Sequence, residues 1–319
     1  MVGRVNAAQG ICIQDQSQPF LVNVDHSTKR SISDMLRVQI CSNAELSFLM
    51  EVHDGFSAAI AERTGFEGLW ASATSIACSL GYRKASEASW NQVMGIIERI
   101  VGSTELPVLV DGDVGLSNVN NVGVIAHELR RSGAAGLALE DSSSLKTRQL
   151  VREQCREADV DKICSRVRAV RDAVKDDLVL VAGFEAPNDE YGMEETMLRA
   201  HNCAEAGADA ILLHSCKGAV DEIVSFLHAW RSPLPIVVVP AKDDRMTLFA
   251  SLSVPLSAII WGDHSMHAAI NATRKLRCRL AIDESAASIE RNVAIADNLI
   301  ELLMYDELAR EQARLMSRR

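Results

Sequence analysis

Eight short apolar runs, each breaking into a polar or glycine position, constrain this chain more than any other feature: FLMEVHD, GLWAS, PVLVDGD, GLALED, LVLVAGFEA, AILLHS, PIVVVP and AIIWGDH. Each has the length of a strand and is followed by a stretch of helical length, the pattern of repeated βα units built on a parallel sheet. Eight such units read as an α/β protein, an (α/β)8 TIM-type barrel with C-terminal helices. In that architecture the active residues lie where the strands end. The 319 residues, 48% of them hydrophobic, suit one large domain with appendages. Residues 1–34 read as an N-terminal extension, 35–281 as the catalytic barrel and 282–319 as a C-terminal helical segment. Apolar residues at three-and-four spacing in that last segment require a surface to bury them, on the barrel or on a partner subunit.

The net charge of −10 and the lack of any basic stripe argue against a nucleic-acid partner. No run approaches a charge-free membrane span, and the N-terminus lacks an uninterrupted apolar stretch of the kind a signal peptide carries. A cytoplasmic enzyme with no membrane association is the expectation. The eight cysteines are scattered without a CxxC pair, so neither a zinc site nor a disulfide framework is indicated. They read as reduced thiols without assigned chemistry.

The polar residues at the strand ends are the candidates for chemistry. His53 and Asp54, Ser72, Asp111 and Asp113, Glu140, Glu185, His214 and Ser215, Lys242 and His264 all fall there. Asp111 and Asp113 stand two residues apart after LPVLV, and Glu140 closes GLALE. Carboxylate oxygens are the donors that a hard cation such as Mg²⁺ takes. Asp and Gly are also ordinary turn residues. Three acids share one face only if their strands are parallel and neighbouring, so the trio tests the fold as well as the chemistry.

At these residues the sequence resembles the phosphoenolpyruvate mutase and isocitrate lyase superfamily, most closely its phosphoenolpyruvate mutase and phosphonopyruvate hydrolase branch. The matching strings are EVHDGFSAAIAERTGFEGLWAS, LGYRKASEASW, PVLVDGDVGLSNVNN, AGLALED, Lys146 with Thr147, AGADAILLHS and the AIIWGDH region, in order over roughly residues 38–275. The resemblance implies a barrel whose last helix is exchanged with a neighbouring subunit, in a homodimer or homotetramer. It also implies Mg²⁺ and a small anionic 2-oxo or enol acid as substrate. Asp111, Asp113 and Glu140 match the metal-holding acids, with Asp111 nearest the ion. Ser72 and Ala73 match the residues whose amides cradle the substrate's carboxylate or enolate oxygen. Trp70, Asn118, Glu185 and Ser215 fall on further substrate-binding positions, and His214, Lys146, Arg148 and Lys84 on catalytic ones.

The departures fall on groups that would face phosphorus. Lys84 stands where the mutases carry an aspartate, Gly183 where they carry a phosphonyl-binding arginine, and Arg148 where they carry asparagine. The lysine-cysteine-glycine-histidine signature of the carbon-carbon lyases is absent. The sequence therefore points to a Mg²⁺-dependent mutase-like enzyme. It would interconvert phosphoenolpyruvate and phosphonopyruvate through a metal-stabilised enolate, with Arg148 and Lys146 replacing the lost positive charge. Phosphonopyruvate hydrolysis, carbon-carbon cleavage of a related 2-oxo acid, and a non-catalytic homologue that binds metal and 2-oxo acid are the alternatives.

Overall fold

The computed structural model describes residues 30–41, 46–83, 87–112, 122–140, 160–186, 192–215, 220–240, 256–287, 289–290 and 316. Eight strands run β1 (Ser47–Val52), β2 (Gly68–Ala71), β3 (Val108–Asp111), β4 (Gly136–Glu140), β5 (Val179–Glu185), β6 (Ala210–His214), β7 (Ile236–Val239) and β8 (Leu256–Trp261). All neighbours pair in parallel, and β1 pairs with β8 to close the barrel. The described helices are α1 (Ile32–Cys41), α2 (Gly55–Arg63), α3 (Ala73–Ser79), α4 (Trp90–Val101), α5 (Val122–Ser132), α6 (Val160–Val174), α7 (Met193–Glu205), α8 (Val220–Ala229) and α9 (His264–Asp283). None of them is long and apolar enough to cross a membrane.

Strand side chains alternate between two cores because successive Cβ atoms point to opposite faces. The outer core lies between sheet and helices and takes Val52, Leu69, Ala71, Val108, Val110, Leu137, Leu139, Leu180 and Ala182. The inner core fills the barrel with Leu49, Trp70, Leu109, Ala138, Val179, Val181, Ala210, Leu212, Val237, Ala258 and Ile260. Counting on in twos from these inner residues puts Glu51, Asp111, Glu140, Gly183, Glu185 and His214 on the inner face at the carboxyl ends of the strands. A barrel places its chemistry there.

The opposite end is sealed by α1. Ser31 and Asp34 cap its start reciprocally, the Asp34 amide on the Ser31 hydroxyl and the Ser31 amide on the Asp34 carboxylate. Leu36 and Ile40 then enter the inner core with no exposure. Gly136 permits that approach, since a Cβ there would stand 2.7 Å from Leu36 Cδ2 and 2.8 Å from the Val179 carbonyl oxygen. Asp209 locks the seal, accepting from Arg37 Nη1, Arg171 Nη2 and the Leu180 amide, each at 2.8 Å. The Cys41 thiol beside it is pushed up to about 11, first by burial and then by the Asp209 charge. It stays protonated and inert at neutral pH.

Candidate active site

The acids come to the barrel mouth on adjacent strands. Asp111 ends β3 and is 2% exposed, and Glu140 ends β4 and is 4% exposed. The β3–β4 register pairs Asp111 with Ala138, so Glu140 lies two residues further along the same inner face. Asp111 Oδ2 accepts the Ala73 amide at 3.1 Å, which ties the metal-ligand candidate to the turn opening α3. Ser72 caps that helix through its hydroxyl and is fully buried. Trp70, one inner-face step below Ser72, is 3% exposed and packs in the inner core.

On the far side, Glu185 pairs in register with His214, and both are buried. The His214 Nε2 stands 4.0 Å from Glu140 Oε2. Gly183 is paired with Glu140 across β4 and β5. A Cβ at Gly183 would come within 3.0 Å of Glu140 Cγ, so the missing side chain leaves the space against which Glu140 rests. Ser215 follows the inward His214, and its hydroxyl donates to Glu222 Oε2 on α8 at 2.8 Å. Asp54 is a helix cap: its carboxylate takes the Ser57 amide at 2.7 Å and the Ser57 hydroxyl completes a capping box at α2. Lys84, Asp113, Asn118, Lys146, Thr147, Arg148 and Lys242 lie outside the described residues.

Sequence reasoning missed Glu51, a fully buried carboxylate at the end of β1. It binds His53 Nδ1 at 3.0 Å, the Met266 amide at 3.2 Å and the Ser265 hydroxyl. Burial, the largest single influence, raises its pKa, but hydrogen bonds from His53, Ser265 and Ser75 and the His53 charge outweigh it, so the carboxyl sits below its ordinary value. His53 is lowered by burial and raised more strongly by its bond to Glu51 and the charges of Glu51 and Asp54, so it sits above its ordinary value. The signal was available: in FLMEV the glutamate shares the parity of the inward Leu49.

The donor chemistry suits a hard cation, because Asp111 and Glu140 offer buried carboxylate oxygens on one face. Among the described residues no group of three His, Cys, Asp or Glu side chains forms a complete metal cluster. The third acid of the trio, Asp113, is not among them.

A closed parallel barrel with carboxylates buried at the carboxyl ends of its strands defines the class as a barrel enzyme. The model of the phosphoenolpyruvate phosphomutase family matches residues 36–280. A phosphoenolpyruvate phosphomutase of Tetrahymena pyriformis is 35% identical over 266 residues, covering 83% of this chain and 89% of that protein. The crystal structure of a phosphoenolpyruvate phosphomutase from Streptomyces platensis subsp. rosaceus superposes with a TM-score of 0.81 at 26% identity, over 89% of this chain and 99% of that one. A phosphonopyruvate hydrolase in complex with oxalate and Mg²⁺ also gives 0.81, at 27% identity, over 90% of this chain and 100% of that one. The chain belongs to the phosphoenolpyruvate phosphomutase family, a family of enzymes.

Proposed function

We propose that this chain is a Mg²⁺-dependent phosphoenolpyruvate mutase-like enzyme that makes or breaks the bond between phosphorus and C3 of pyruvate. The observation that carries this reading is the inward placement of Asp111 and Glu140 on adjacent strands, with Asp111 bound to the Ala73 amide. Asp111, Glu140 and Asp113 would hold the ion. Bound there, it supplies Lewis-acid stabilisation for negative charge on the oxygens of a 2-oxo or enol acid.

The protein's own part is positioning and charge. The Ser72 and Ala73 amides donate to the Val52 carbonyl and to Asp111, so the substrate's carboxylate would lie against this turn without displacing those bonds, with Trp70 as the floor beneath it and Glu185 and His214 on the opposite wall. Interconversion breaks the P–O bond of phosphoenolpyruvate and forms the P–C bond of phosphonopyruvate, with no water or net proton consumed. The migrating group spreads its charge over three oxygens and needs cationic partners. Gly183 supplies none, so Arg148 and Lys146, with Lys84 at the gate, are assigned that charge. Unchanged substrate binding and turnover in Arg148→Ala would remove Arg148 from this role.

The reaction is read by phosphorus NMR on protein incubated with Mg²⁺ and phosphonopyruvate. Phosphoenolpyruvate is the expected product. Release of free phosphate assigns hydrolysis instead, a reading favoured by the similarity to the hydrolase bound to oxalate and Mg²⁺. No conversion alongside retained oxalate binding assigns a non-catalytic homologue.

A further inference from the structure

Glu51 is a carboxylate that the proposed reaction does not use, on the inner face of β1 and with no exposure. Two residues earlier the same face carries Leu49, also fully buried. A side chain needed only to fill that space would be apolar, because a buried charge is stable only when every lone pair finds a donor. The donors come from two elements. His53 Nδ1 reaches it from the end of β1 at 3.0 Å, and the Met266 amide reaches it from the first turn of α9 at 3.2 Å. The Ser265 hydroxyl lies against the carboxylate and 2.9 Å from the Glu51 carbonyl oxygen. The Ser75 hydroxyl, from the first turn of α3, donates to Asp263 Oδ1 at 3.4 Å, two residues before Ser265.

Ser75 is the link to the mouth. Its amide donates to the Ser72 hydroxyl at 3.4 Å, and the intervening Ala73 amide donates to Asp111 at 3.1 Å. Hydrogen bonds therefore tie Glu51 to Ser265 and Met266 at the start of α9, and tie Asp263, which precedes them, to Ser75 and the turn that faces the candidate metal ligand. We propose that Glu51, oriented by His53, is a positioning residue that holds the Ser72–Ser75 turn in register with Asp111 so that it can receive a substrate carboxylate. The inference rests on the function proposed above for that turn. The start of α9 is bound into the same device through Ser265 and Met266, although most of that helix is exposed.

The test compares wild type with Glu51→Gln and His53→Gln. The amide of Glu51→Gln keeps the size and one acceptor oxygen but removes the charge. Three quantities are measured: oxalate affinity with Mg²⁺ by calorimetry, hydrogen–deuterium exchange over residues 68–80 without ligand, and the thermal midpoint. Glu51→Gln is expected to weaken oxalate about tenfold, the scale of an outer-shell loss. It should also speed exchange in the 68–80 segment selectively and raise KM more than it lowers kcat. Unchanged exchange in that segment, or exchange that rises evenly around the barrel with a falling midpoint, overturns the proposal. Should Glu51→Gln fail to fold, Ser265→Ala and His53→Gln each remove one partner and are read in the same way. If wild type shows no Mg²⁺-dependent oxalate affinity, the function reading falls, and ligand-free exchange still decides whether Glu51 holds the turn.

Discussion

The two ends of the barrel both gather charged groups, half-buried at the amino end and buried at the carboxyl end, yet they use them differently. At the amino end Arg37, Arg171 and Asp209 engage one another and nearby backbone, and α1 drives Leu36 and Ile40 into the inner core beneath them. At the carboxyl end Glu51, Asp111, Glu140 and Glu185 place four acids on the inner face. Opposite charges that meet each other hold a structure shut. Like charges gathered on one concave face favour a cation, and this is why the proposed chemistry is assigned to the mouth and not to the base.

That contrast is broken most severely at Asp111. Asp111→Asn is expected to lower turnover about 1,000-fold, the loss of a charged group aimed at the reacting oxygens, while the thermal midpoint moves little. Steady-state kinetics and calorimetric melting check both halves. The mirror experiment at the base is Leu36→Ala, which should cost about 3 kcal/mol of stability in denaturant unfolding and leave turnover per folded molecule unchanged. Gly183→Ala sharpens the picture of the mouth. Its Cβ would press on Glu140 Cγ at 3.0 Å, so Mg²⁺ affinity should fall severalfold to about tenfold in titration calorimetry. An arginine introduced at Gly183 meets the same obstruction and should not create a phosphate site by itself. Asp54→Ala removes the α2 cap and should cost about 1 kcal/mol with no effect on oxalate binding.

The smallest expected effect is in pH. His53 has a folded-state pKa above its ordinary 6.5, so its contribution is complete below that value and is lost as pH rises through the raised one. Glu51 lies below its ordinary 4.5, so its contribution is complete above 4.5 and is lost as pH falls through the lowered value. The pair therefore stabilises the fold most between those two ordinary values. Thermal melting at stepped pH should show wild type losing midpoint above pH 6.5 relative to His53→Gln.

Much of this was legible in the sequence, because a barrel strand buried on both faces is a short apolar run and all eight runs became strands in chain order. The strand-end acids were legible for the same reason, since a carboxylate interrupts such a run only at its end or on the inner face. Glu51 escaped because it sits one step inside its strand, where its neighbours Met50 and Val52 disguise it as part of the apolar run. Asp54 read as a strand-end candidate, but its cap on Ser57 depends on where α2 begins, which composition does not specify. Ser215 likewise read as part of the mouth, while its hydroxyl turns to Glu222 because the residue after an inward histidine faces the helices. That Glu140 occupies the approach to Gly183 required coordinates.

The central claim is that one divalent cation at the barrel mouth, held by Asp111 and its acidic neighbours, governs recognition of a 2-oxo acid. Titration of oxalate into the protein with and without Mg²⁺ tests it most directly. Binding that requires Mg²⁺ in wild type and disappears in Asp111→Asn is the predicted result. Oxalate affinity that is absent, or is the same with and without the ion, would contradict it.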